Sequence, residues 1–202
     1  NGVRTWRELH SIPSIGFEHQ PRSKQSICNS RSFSKEIYER KELMEQVAKF
    51  ASMTAERLRS QGTLCSELTV FAATNRSHDN ELQQYGNTKI VFAEPTDSTL
   101  RIVRAAREAV NDIFVAGCGY KRAGVIASGI KQREGTPHSM FDSERQSQHE
   151  RLMQAMDSIN RQKGDKRIVL ASEGMSGIKS SSAHRSPRYT THWAEIPTVK
   201  IK

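Results

Sequence analysis

Hydroxyl, amide and guanidinium groups crowd into Lys24-Gln25-Ser26-Ile27-Cys28-Asn29-Ser30-Arg31-Ser32-Phe33, a short run with the look of a strand. Small polar side chains leave a strand's backbone open, so its N–H groups and hydroxyls can reach phosphate oxygens while an arginine supplies charge. Ser30, Arg31 and Ser32 are the candidate phosphate contacts on this run, with Lys24 at its start. Further cations stand beside the later strand-like runs: Arg76 after the second, Lys89 in the third, Lys121 and Arg122 opening the fourth. Together they could line a free sheet face or its rim, as in a DNA binder that reads shape and tolerates any sequence. The bland alternative is an edge strand with a serine-rich outer face and an ordinary solvated rim of Lys and Arg.

No comparable constellation supports catalysis. The chain has no G-x-x-x-x-G-K-[ST] loop, no H-E-x-x-H, no G-x-S-x-G and no G-x-G-x-x-G. Its seven histidines are scattered, and none pairs with another His or a Cys at metal-ligand spacing. Paired carboxylates on strands, which two-metal phosphoryl transfer needs, are also missing; Glu67 is the nearest candidate and it is single. No catalytic residue, metal site or cofactor is expected in this chain.

Bulk composition fits a binding role. The net charge is +9 and the pI about 9.7, which favours an anionic partner such as nucleic acid. A hydrophobic fraction of 35% and a mean hydropathy of −0.68 are lean for one packed core, so a compact domain with a more polar remainder is expected. Cys28, Cys65 and Cys118 are odd in number and far apart, as small core or strand residues of a reducing compartment would be. No apolar run approaches the roughly 20 residues of a membrane span, and no signal peptide is evident. The chain opens on Asn1 with a helix already under way at Val3-Arg4-Thr5-Trp6-Arg7-Glu8-Leu9, which reads as a fragment.

The elements that would position these residues follow in order. Pro13, Gly16 and Pro21 mark a linker before the first strand. Leu43, Val47, Phe50, Ala51, Thr54, Ala55 and Leu58 make one apolar stripe on a helix over residues 39–60, stopped by Gln61-Gly62. Residues 64–73 alternate, with Leu64, Leu68, Val70 and Ala72 on one face and Glu67, Thr69 and Phe71 on the other. A polar loop over 75–87 leads to a strand over 88–93, and Pro95-Thr96-Asp97 supplies turn and cap chemistry for a second helix. Leu100, Val103, Ala106, Val110, Ile113 and Phe114 form that helix's stripe; Gly117-Cys118-Gly119 ends it before a last strand over 120–130. The fold class is therefore α+β: a split βαββαβ domain whose helices share one face of a four-stranded sheet. Beyond it the chain turns polar around Met140-Phe141, then shows helical spacing over 151–162 and a short strand over 167–171. A Gly/Ser-rich, flexible stretch follows over 174–186.

Residues 24–33, followed by a helix ending near Ala55-Glu56-Arg57-Leu58-Arg59, resemble the little-finger domain of UmuC-type Y-family translesion DNA polymerases. Tyr85-Gly86-Asn87, Pro95-Thr96-Asp97-Ser98 and Tyr120-Lys-Arg-Ala-Gly-Val125 look like later segments of that domain. Leu152-Met-Gln-Ala-Met-Asp-Ser-Ile-Asn160 and Ser186-Pro-Arg-Tyr-Thr-Thr191 look like the C-terminal extension of the same proteins. The resemblance implies a thumb remnant and linker over 1–21, a DNA-binding little finger over 22–133, a linker over 134–148 and the extension over 149–202. It also implies contact with template–primer DNA through Ser30, Arg31, Ser32, Lys121 and Arg122. Met140 and Phe141 would be the remnant of a sliding-clamp peptide in which Pro137 and His138 replace the family's Gln and Leu.

The full-length protein would be a cytoplasmic DNA polymerase of the SOS response and DNA repair. It would use magnesium and act with a UmuD-type subunit and RecA. Two other classes stay open: a protein-interaction module for the clamp or the UmuD-type subunit, and an RNA-binding split-βαβ domain. The last would need stacking aromatics, for which Phe71 and Phe92 are the available residues.

Overall fold

A computed structural model describes residues 2–14, 25–75, 82–134, 143–163, 167–174, 187–188 and 190–196. Helix α1 (Gly2–Leu9) comes first and buries none of its residues. The domain proper runs β1 (Ser26–Ile37), α2 (Arg40–Ser60), β2 (Thr63–Thr74), β3 (Tyr85–Thr96), α3 (Thr99–Ile113) and β4 (Tyr120–Gln132). The strands form one sheet in the order β1-β4-β2-β3, every neighbouring pair antiparallel. Each βαβ unit thus leaves a gap that a strand of the other fills, the split arrangement expected from the sequence.

Both helices cover one face of the sheet. The apolar stripe of α2 is buried as its spacing requires, from Leu43 through Phe50 to Leu58. Gly62 ends that helix at φ +63°, and its N–H donates to the Arg59 carbonyl at 3.0 Å. Helix α3 buries Val103, Ala106, Val110 and Ile113, joined by Ile102 and Ala109; Leu100 and Phe114 are half-buried at its ends. From the sheet, Ile27, Phe33, Leu68, Val70, Val125 and Ala127 complete the core. Asn29 also points inward, and Thr54 of α2 accepts its amide at 2.7 Å, so the polar group is satisfied where it is buried.

Three expectations about the elements need correction. Tyr85-Gly86-Asn87, read as loop, lies inside β3, which also continues through Pro95 and Thr96. Pro95 is tolerated there because β3 is an edge strand. The cap of α3 is consequently Ser98, which makes no side-chain cap bond. Residues 167–170 form no strand: the Asn160 side chain takes up the Ile168 N–H at 2.9 Å and donates to its carbonyl at 2.8 Å. Ala171–Glu173 then close a single 3₁₀ turn.

The region beyond the sheet is docked on the helical layer. Helix α4 (Ser143–Lys163) begins inside the stretch read as linker. Met153 is buried, and Asp157 takes a two-pronged ion pair from Arg59 of α2, at 2.7 and 2.8 Å. Arg133, just past β4, bridges Asp97 to Glu150 of α4, the latter at 3.2 Å. Farther along α2, Ser52 donates to buried Glu173 at 2.6 Å. Much of the 174–186 stretch, read as flexible, lies outside the described residues.

Candidate nucleic-acid interface

The face of the sheet away from the helices is set by register. In antiparallel pairs, directly opposed residues share a face. Ser32 opposes Arg122, Ser30 opposes Gly124 and Cys28 opposes Ile126 across β1 and β4. Across β4 and β2, Arg122 opposes Ala73, Gly124 opposes Phe71, Ile126 opposes Thr69 and Ser128 opposes Glu67. Next to β2 stand Tyr85, Asn87, Lys89 and Val91 of β3. This open face is rich in hydroxyls and small residues, with Arg122 and Lys89 as its cations among the described residues.

Gly124 is what keeps the surface flat beside Ser30. A Cβ there would stand 2.3 Å from the Ser30 Cβ and 2.8 Å from the Asn29 carbonyl oxygen, so β1 and β4 could not approach as they do. Arg122 lies over the Phe71 ring, its Cζ 5.8 Å from the centroid, and its Nη2 reaches the Ser30 hydroxyl at 3.4 Å. The ring face and the hydroxyl thus both lie beside a guanidinium that stays exposed. Lys89 is engaged differently, donating to Glu67 Oε1 at 2.8 Å, while Ser128 donates to Glu67 Oε2 at 2.9 Å. Lys89 and then Ser128 hold the Glu67 carboxyl below the usual carboxylate range.

The predicted contacts therefore divide. Ser30, Ser32, Arg122 and Lys89 share the open face. Arg31 does not: it opposes Ala123, a buried residue of the helical side, so it leaves the edge strand on the other face. Lys121 occupies a register shift of β4 against β2 and donates to the Ser34 carbonyl at 3.1 Å. Lys24, Arg76, Met140 and Phe141 lie outside the described residues. Ser26, Cys28, Thr69, Ser128 and Asn87 join the face without having been singled out as contacts. Period-two alternation would have found those on β1 once Ile27 and Asn29 were known to point inward.

Among the described residues no group of His, Cys, Asp and Glu is arranged to hold a metal ion, and no helix is long and apolar enough to cross a membrane. What the surface offers is hydrogen-bond donors and a few cations on a rigid sheet.

A split-βαβ sheet with one covered face and one bare, hydroxyl-rich face defines a binding-module scaffold. Residues 24–140 match the impB/mucB/samB family C-terminal domain, and the chain belongs to that family. Residues 150–199 match a second family, a domain of unknown function. Curated relatives include protein SamB of Salmonella typhimurium, 32% identical over 98% of this chain, and protein MucB of Escherichia coli, also 32% identical over 98%. Protein UmuC of Salmonella typhimurium is 30% identical over the same share. The chain spans about half the length of these relatives, 47% of each. Among solved structures, the insertion ternary complex of Dbh DNA polymerase matches at a TM-score of 0.42 and 10% identity, over 64% of this chain and 35% of that one. The resemblance to UmuC-type proteins is borne out at the level of the family.

Proposed function

We propose that this chain is the DNA-holding C-terminal part of a bacterial translesion DNA polymerase, with the open face of the sheet laid along the backbone of a template–primer duplex. The observation that carries the reading is the open face itself: Ser30, Ser32, Thr69 and Ser128 around Gly124, with Arg122 raised on Phe71. Hydroxyls and one ordered guanidinium suit phosphate oxygens at any sequence, since phosphate contacts position a duplex without reading it. Membership in the family of SamB, MucB and UmuC supports the same reading.

The rest of the proposal concerns the longer protein. Its preceding half would carry the magnesium-binding carboxylates and the nucleotidyl transfer, in SOS damage tolerance in the cytoplasm. A UmuD-type subunit, RecA and the sliding clamp, the last through Met140 and Phe141, are proposed partners. The second class of reading, a protein-interaction module, draws support from Leu152, Met156 and Ile159 on α4. They stand at helical spacing on a face next to that of Met153 and Asp157, with Leu152 and Ile159 exposed and Met156 half-buried.

Fluorescence anisotropy with a labelled primer–template duplex tests the grip. Affinity should fall log-linearly with salt because each neutralised phosphate releases counterions, at a slope of about 0.9 per contact. Arg122→Ala should weaken binding and flatten the slope by about one contact. Absence of binding at low salt, or binding without a salt slope, would sink the proposal.

A further inference from the structure

Among the described residues, the two cations of the open face are not equally available. Arg122 is exposed and rests on an aromatic ring with a serine hydroxyl beside it. Lys89 is drawn sideways to Glu67, a carboxylate on β2, the strand between β3 and β4. Glu67 is itself fixed from the other flank by Ser128 of β4, so both of its oxygens are engaged and the side chain spans β3 to β4. Glu67 directly opposes Val91 rather than Lys89, which makes the ion pair a diagonal one that pulls the lysine along the sheet. A carboxylate at that place repels phosphates, and it cancels the charge of the one cation β3 brings to the face. Fold stability does not need it, since exposed pairs add little.

We infer that Glu67 is an affinity-limiting residue of the duplex-binding face: it holds Lys89 across β2, away from the phosphates, and leaves the grip to Arg122 and the hydroxyls. The inference rests on the duplex-holding reading above and adds to it a device that keeps the grip weak. A face that bound with every cation would hold one position on the duplex. One that withholds a lysine can be displaced stepwise, as a sequence-independent holder must be when the duplex advances.

The test uses the full 202-residue chain and a fluorescein-labelled primer–template duplex, titrated across a range of salt. Glu67→Gln keeps the shape and a hydrogen-bonding partner for Ser128 while freeing Lys89. It should tighten binding at low salt and steepen the salt slope by about 0.9, which is an extra loss of about 3.5-fold between 50 and 200 mM. Adding Lys89→Ala to Glu67→Gln should return the slope to the wild-type value. An unchanged or weakened Glu67→Gln overturns the inference. So does a gain that survives in the double variant, because Glu67 would then act by repelling phosphate and not through Lys89. Melting curves of both variants check that the sheet is intact, and Glu67→Asp, which keeps the charge but shortens the reach to Lys89, repeats the test if Glu67→Gln fails to fold. If the wild-type chain binds no duplex at all, the duplex-holding reading itself falls. A duplex bound by the wild type with no response to Glu67 overturns only this inference.

Discussion

Arg59 is the residue on which the docking of the C-terminal region turns, and replacing it with methionine tests how that region is held. Its guanidinium pairs with both Asp157 oxygens and also donates to the Asp97 carbonyl and the Thr99 hydroxyl, each at 2.8 Å. The two charged side chains are only 10% and 11% exposed. Removing one partner of such a pair costs about 3–5 kcal/mol, because the other charge is left buried and uncompensated. Against this, α4 retains burial of Met153, about 1.5–3 kcal/mol. The partly exposed Arg133–Glu150 pair adds at most about 1 kcal/mol. At mid-range the loss of about 4 kcal/mol exceeds the roughly 3 kcal/mol that remains, so Asp157 should escape to water by carrying α4 off the sheet domain, with the core left intact. Hydrogen exchange should then show α4 amides deprotected by about 10²–10³-fold, while β2 and β4 keep their protection. A further Asp157→Leu change removes the orphaned charge and should restore much of the docking. Unchanged α4 exchange in Arg59→Met, or worse docking in the double variant, would refute the reasoning.

Other outcomes follow from the same geometry. Gly124→Ala should destabilise the domain by about 2 kcal/mol or more by forcing β1 away from β4, read as a lowered urea midpoint; an unchanged midpoint would mean the strands can separate freely. Cys28 is exposed, whereas Cys65 and Cys118 are buried and burial pushes the Cys65 thiol up to about 12, so at pH 8 Ellman's reagent should find one fast thiol. Bound duplex should slow that thiol, and equal rates with and without DNA would count against duplex lying over β1. The Glu67–Lys89 pair should persist as pH falls to 4.5 and be lost only lower, as pH passes through the depressed native value of Glu67. The difference in salt slope between wild type and Glu67→Gln should therefore be constant above pH 4.5 and disappear in more acid buffer; a difference already lost near pH 6 would refute this.

Much of the sheet domain was legible in the sequence because its signals are local. The α2 stripe, the Gln61-Gly62 stop and the alternation of β2 each depend on neighbours within a few residues. Tyr85-Gly86-Asn87 misled because Gly and Asn are common turn residues. In the fold the glycine answers a different need, since a Cβ at Gly86 would meet Ile113 at 2.8 Å. The sequence presents Ser30-Arg31-Ser32 as one patch, yet successive strand residues face opposite ways, so the arginine leaves the sheet on the other face from the serines. In the sequence Glu67 stands as a single carboxylate, and its pairing with Lys89 depends on the register of β2 and β3. The Arg59–Asp157 pair joins residues 98 positions apart, and no local pattern announces such a contact.

The two faces of the sheet divide the molecule's work. Hydrogen bonds from the C-terminal region run to α2, to the loop before α3 through Asp97 and Arg133, and so to the helical side. The residues proposed to meet DNA stand on the opposite side, on β1, β4 and β2. Among the described residues, the face proposed for the duplex and the surface that docks α4 are therefore separate. This separation also explains why Arg59 and Arg122 behave so differently despite identical chemistry. Arg59 is desolvated and answered by a carboxylate, which fixes structure and removes it from any partner. Arg122 is supported by a neutral ring and a hydroxyl, which orders the guanidinium without cancelling its charge. A cation kept ordered and unneutralised is the one a phosphate can use.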